Sequence, residues 1–260
     1  MRLIDTHTHL YVEDFDKDQR AVVERAIGNG VERFYIPAIS SAYTQRMLAL
    51  ESKYPKHMRL MMGLHPTHVK ENYQAELEHV KSQLESRDFA AVGEIGIDLY
   101  WEKKYLKEQQ EAFHIQIEWA KAKGLPIVIH CRSAFDAVFE VLEAHHDDQL
   151  YGIFHCFSGT LAQAQRAIDL NLKLGIGGVL TFKNGKIDQF LHEIPLASIV
   201  LETDSPYLAP VPYRGKRNES SYLLKILEKM ADVYQESDSL IAEQTTQNAY
   251  DVFENKGFKR

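Results

Sequence analysis

Short runs rich in aliphatic and β-branched residues alternate along the chain with longer stretches whose apolar residues return every three or four positions. The strand-like runs fall at residues 3–9, 31–37, 58–64, 90–97, 126–130, 152–155, 172–176 and 198–203. Helical patterns fall between them, at 18–29, 43–53, 74–86, 106–123, 135–145, from Leu161 onward, and at 186–192; two more, 220–234 and 237–254, follow the last run. Gly30 closes the first helical stretch, and Gly124 with Pro126 closes the longest. Parallel strands need a crossover of about helix length, which these stretches supply. Eight such units in roughly 250 residues predict an α/β fold, a TIM (β/α)8 barrel, with an extra C-terminal helix. An open doubly wound sheet is the rival arrangement. No composition break or low-complexity linker divides the chain, so one barrel domain is expected over residues 1–260.

The ends of the strand-like runs carry the chemistry. In DTHTH, His7 and His9 alternate with threonines and so share one strand face. H-x-H is weak evidence alone, but the pattern recurs. AAVGEIGID places Glu94 in apolar surroundings, where a carboxylate is costly unless paired or metal-bound. PIVIHCR ends in His130, YGIFHCFSG carries His155, and SIVLETDSP reaches Asp204. A barrel gathers functional groups at the C-terminal edge of its strands. Imidazoles and carboxylates arriving there together predict two divalent metal ions. His7, His9, Glu94 and Asp204 would hold one, and His130 and His155 the other, with Glu94 bridging. This donor set suits Zn, Mn, Fe or Ni, and its carboxylate-rich half accepts Mg. Asp5, on the same face as His7, is a candidate partner for a ligand from behind.

The chain is 45% hydrophobic and 26% charged, in the range of ordinary globular proteins. No apolar run approaches the roughly 20 residues that cross a bilayer, and the start lacks a basic flank followed by an apolar stretch. The expected setting is the cytoplasm, with no membrane and no obligate protein partner. Two cysteines, Cys131 and Cys156, read as reduced core thiols. A net charge of −7 disfavours a long nucleic-acid platform. The local basic cluster Arg214-Gly215-Lys216-Arg217 leaves room for a short strand end.

The stretches IDTHTHL, GLHPTH, VGEIGIDLY, PIVIHCR, FHCFSG, LETDSPYL and PYRGKRNES run from residue 4 to residue 220. Together they resemble the TatD family of metal-dependent hydrolases, within the amidohydrolase-like barrels. The resemblance implies ligation at His7, His9, Glu94, His130, His155 and Asp204. It implies a Mg- or Zn-dependent deoxyribonuclease, often a 3′-to-5′ exonuclease on single-stranded DNA. The alternative is an ester or amide hydrolase such as a D-aminoacyl-tRNA deacylase. Glu94 stands where many amidohydrolase-like barrels carry a carbamylated lysine, which favours the TatD branch. On this reading Asp204 is the general base and Glu94 the bridging catalytic carboxylate. His65 is a candidate phosphate contact, with His68 beside it, and Glu202 a candidate acceptor behind a ligand histidine. Arg214 and Lys216 are candidates for clamping a phosphate or a DNA terminus. Tyr100 and Trp101, after the fourth run, admit either base stacking or loop packing.

Overall fold

In the computed structural model, which describes residues 1–101 and 103–254, the alternation becomes a closed parallel ring. The strands are β1 (Leu3–Asp5), β2 (Val31–Ile36), β3 (Met58–Leu60), β4 (Val92–Asp98), β5 (Ile127–Arg132), β6 (Gly152–Phe154), β7 (Leu172–Ile176) and β8 (Ile199–Leu201). The helices are α1 (Gln19–Gly28), α2 (Thr44–Lys53), α3 (Tyr73–Ser86), α4 (Leu106–Lys123), α5 (Phe135–Ala144), α6 (Leu161–Asp169), α7 (Leu223–Tyr234) and α8 (Asp238–Phe253). Neighbours pair in parallel in the order β1-β2-β3 and β4-β5-β6-β7-β8. Two seams join these sheets. Met62 bridges to Val92 between β3 and β4, and Thr8 bridges to Ser205 past the ends of β1 and β8. The Thr6 N–H also donates to the Leu201 carbonyl at 3.1 Å. The sheet closes on itself, so the fold is the (β/α)8 barrel and not the open sheet.

Two apolar clusters follow from strand alternation. The larger joins residues such as Phe34, Leu60, Ile129 and Leu201 to the helices, including Val22, Val23 and Ala26 of α1. The smaller takes Ile4, Tyr35, Met61, Ala91, Val128, Ile153 and Val200 from seven strands or strand edges. Ala249, Val252 and Phe253 of α8 belong to this second cluster, with Phe253 stacked on Tyr35 at 3.7 Å between ring centroids. The extra C-terminal helix therefore plugs the barrel on the side away from the strand C-termini. No helix among the described residues is long and apolar enough to cross a membrane.

Several expectations shift in detail, and the run expected over 198–203 is regular only to Leu201. The run expected to continue as strand to residue 9 leaves the regular ladder after Asp5. Its N–H groups divide between both neighbours: Thr8 donates to the Tyr35 carbonyl, and Thr6 and His9 to Leu201 and Ser205. The run expected over 58–64 is regular only to Leu60. The helix expected at 186–192 is not α-helical. The chain between β7 and β8 forms 3-10 turns at Gly178–Thr181, Ile187–Gln189, Leu191–Glu193 and Leu196–Ser198. Lys186 sits at φ 59° and Pro195 follows soon after, so no segment there is long enough to offset helix nucleation.

Candidate metal centre

Glu94 lies at the middle of the site because β4 is bulged. Gly93 pairs with Val128 and Ile95 with Ile129, which leaves Glu94 as the extra residue. Gly96 lets β4 approach β5: its φ is 139°, and a Cβ there would overlap the His130 carbonyl. The two oxygens of Glu94 face different groups. Oε2 lies 3.1 Å from His7 Nε2 and 3.6 Å from His9 Nε2. Oε1 lies 2.8 Å from His130 Nδ1, 3.3 Å from His65 Nε2 and 3.7 Å from His155 Nε2. Asp204 reaches over the first group, with Oδ1 3.4 Å from His9 Nε2 and 3.8 Å from both His7 and His155 Nε2. The structure thus brings all six expected ligands together.

The spacing and chemistry of these atoms fit divalent cations. His7 Nε2, His9 Nε2, Glu94 Oε2 and Asp204 Oδ1 have recorded separations of 3.1–3.8 Å, including 3.3 Å between the two imidazole nitrogens. A cation with bonds of about 2.0–2.1 Å spaces tetrahedral donors by roughly 3.3 Å. The tautomer of His9 supports the same conclusion. The Tyr11 hydroxyl donates to the Pro37 carbonyl at 2.7 Å and lies 3.1 Å from His9 Nδ1. Its only proton is engaged, so it accepts from His9 Nδ1–H, and His9 Nε2 presents a bare lone pair to the cluster.

His65 is different. Its Nδ1 accepts the Thr67 backbone N–H at 3.1 Å, so the ring proton sits on Nε2, which lies 3.2 Å from His130 Nδ1 and 3.3 Å from Glu94 Oε1. Burial lowers its pKa to about 4, so the ring is neutral near pH 7. It offers a donor rather than a metal-binding lone pair. His68 stays one residue behind, 3.3 Å from Thr67 Oγ1, and does not join the cluster.

Carboxylates stand behind the imidazoles. Glu202, fully buried, places Oε1 2.9 Å from His155 Nδ1 and accepts the Cys156 N–H at 2.8 Å. Gly175 makes room for it, since a Cβ there would overlap the carboxylate. Asp98, which the sequence reading missed, holds His130 Nε2 at 2.9 Å. Tyr11 was missed as well. Asp98 lies four positions from Glu94 on β4, a spacing that strand alternation could have flagged, whereas Tyr11 lies past the end of β1. Asp5 does not reach an imidazole ring. It accepts from Thr203 N at 2.9 Å and Thr203 Oγ1 at 2.6 Å, tying β1 to the segment after β8.

The electrostatics follow from enclosure. Burial raises the Glu94 carboxyl, but His65, His7, His155 and His130 outweigh it and hold Glu94 well below the carboxylate range. Burial likewise opposes ionisation of Asp204, yet His155, His9 and His7 keep it below its ordinary value. Burial disfavours the charged form of His155, but Glu202, Glu94 and Asp204 push it up to about 10. Arg214 and Lys216 remain exposed on the loop after β8, Arg214 lying 3.6 Å over the Phe182 ring. Among the described residues no contact joins either to the cluster.

Residues 4–254 match the family described as TatD related DNase. A metal-dependent hydrolase of Bacillus subtilis, YabD, is 35% identical over 96% of this chain and 98% of its own length. A metal-dependent hydrolase of Escherichia coli, YjjV, is 32% identical, and 97% of this chain is covered with 98% of that one. The crystal structure of YjjV superposes with a TM-score of 0.91 over 97% of this chain and 98% of that chain. A TatD family hydrolase from Entamoeba histolytica shares the fold at 20% identity, with a TM-score of 0.84 over 98% of each chain. The chain belongs to the TatD-related DNase family of metal-dependent hydrolases.

Proposed function

We propose that the protein is a deoxyribonuclease that hydrolyses phosphodiester bonds at single-stranded DNA ends, in the 3′-to-5′ direction, with two divalent cations. The observation that carries this reading is the divided environment of Glu94, one oxygen toward His7 and His9 and the other toward His130 and His155. A carboxylate so placed suits a bridge between two ions, an arrangement suited to phosphoryl displacement. Membership of a family described as DNases supports DNA as the substrate. His7, His9, Glu94 and Asp204 would hold one cation, and Glu94, His130 and His155 the other, with Mg, Mn or Zn as the candidates.

When bound, such cations polarise a phosphoryl oxygen and make a water nucleophilic near neutral pH. Asp204, ionised and at the open side of the cluster with its side chain 13% exposed, takes a proton from the attacking water. It returns that proton to the leaving oxygen. His65 Nε2–H, held against His130 and Glu94 in the free protein, would turn to a non-bridging phosphoryl oxygen when substrate binds. Tyr11, Asp98 and Glu202 hold His9, His130 and His155 in register and fix which nitrogen faces inward. Arg214 and Lys216, on the loop after β8, would contact a phosphate beyond the cleaved bond.

The test is turnover of a 5′-labelled single-stranded oligonucleotide with Mg, Mn or Zn, beside an aminoacyl-tRNA. Progressive shortening from the 3′ end, abolished in Asp204→Asn, is the expected result. Hydrolysis of the aminoacyl ester alone would replace the nuclease reading with the deacylase one.

A further inference from the structure

Tyr100 and Trp101, on the loop between β4 and α4, are 58% and 69% exposed. Loop packing therefore does not account for them. Their rings meet edge to face, 5.0 Å between centroids and 88° between planes. Arg132, at the end of β5, lays its guanidinium 3.9 Å from the Tyr100 ring centroid and 5.3 Å from that of Trp101. The three side chains form a corner of two aromatic faces and one cation, open to solvent.

This corner is anchored to the cluster through one carboxylate. Asp98 Oδ1 accepts the backbone N–H groups of Tyr100 at 2.9 Å and Trp101 at 3.2 Å. Asp98 Oδ2 lies 2.9 Å from His130 Nε2, and His130 Nδ1 lies 2.8 Å from Glu94. The Leu99 N–H donates to the Arg132 carbonyl at 2.9 Å, which fixes the loop on β5. The backbone that presents the rings is thus held by the group that orients His130.

We propose that Tyr100, Trp101 and Arg132 form a nucleobase-stacking subsite for a base flanking the cleaved phosphate. The inference rests on the nuclease reading and deepens it. Every base offers a π-face, so such a subsite binds with little sequence preference. Arg132 braces the rings and offers its charge to the attached phosphate. In an acidic protein this supplies affinity for a strand end without a broad basic surface.

The experiment compares an eight-nucleotide oligothymidylate with an abasic phosphodiester of equal length. In Trp119→Phe, Trp101 is the sole tryptophan. With metal present and Asp204→Asn added to prevent turnover, oligothymidylate is expected to quench its emission and the abasic strand is not. With metal present, the unaltered protein should show a KM about ten-fold lower for the base-bearing strand. Trp101→Ala should shrink that ratio toward one, and Trp101→Phe should retain most of it. Equal quenching by both strands, no quenching by either, or a ratio unchanged in Trp101→Ala overturns the subsite; a protein partner for this corner would give the second of these. Base-dependent quenching without any strand shortening keeps the subsite and removes the nuclease reading.

Discussion

Tyr11 has one hydroxyl proton, and its engagement by the Pro37 carbonyl decides how His9 faces the centre. Tyr11→Phe removes the acceptor for His9 Nδ1–H while keeping the ring. Affinity for Zn or Mn should fall about ten-fold or more, read by calorimetric titration; unchanged affinity would show that His9 needs no such partner. His155 carries a second consequence. Its pKa, pushed up to about 10 by the surrounding carboxylates, means that it holds a proton at neutral pH. A cation taking its lone pair displaces that proton, so metal affinity should rise with pH between roughly 6 and 8. Titrations in two buffers of different ionisation heat should report net proton release. Zero release would contradict the placement of His155 among the ligands.

At the scale of elements, the loop after β8 is tied to α1 by Arg25, whose Nε and guanidinium nitrogen lie 2.7 and 2.8 Å from the two Glu219 oxygens. Burial raises Glu219, but Arg25 and Ser221 outweigh it and hold it below its ordinary 4.5. A depressed carboxyl stabilises the fold above its unfolded-state pKa, and the contribution is lost as pH falls through the folded value. Glu219→Gln should therefore cost about 1–3 kcal/mol at pH 7, read by urea unfolding. The difference from the parent protein should shrink as the pH falls below that ordinary value. In α8, Phe253 closes the smaller apolar cluster against Tyr35. Phe253→Ala should cost about 3 kcal/mol, checked by the same method, and no cost would deny α8 its role as the barrel plug.

The element boundaries also show what could be read from the sequence. Alternation located every strand and placed His7, His9, Glu94, His130, His155 and Asp204 at one rim, because periodicity survives in short runs. It extended β1, β3 and β8 too far, because the departure from the ladder depends on which neighbour receives each N–H. It read 186–192 as a helix because apolar spacing does not report a positive φ at Lys186. Tyr11 and Asp98 passed unnoticed for a related reason. Their meaning lies in contacts with Pro37 and His130, which are far apart in sequence.

For the whole molecule, ring closure positions the site. β1 meets β8 through Thr6–Leu201 and Asp5–Thr203, which brings His7 and His9 against Asp204. β4 beside β5 brings Glu94 against His130. The far end of the ring, sealed by α8, contributes packing and none of the six expected ligands. One measurement bears on this account most directly: anomalous diffraction at the manganese edge from crystals grown with Mn. Two peaks flanking Glu94 are predicted, one within bonding distance of His7, His9 and Asp204 and the other of His130 and His155. No peak at Glu94, or those side chains turned away from it, would contradict the account.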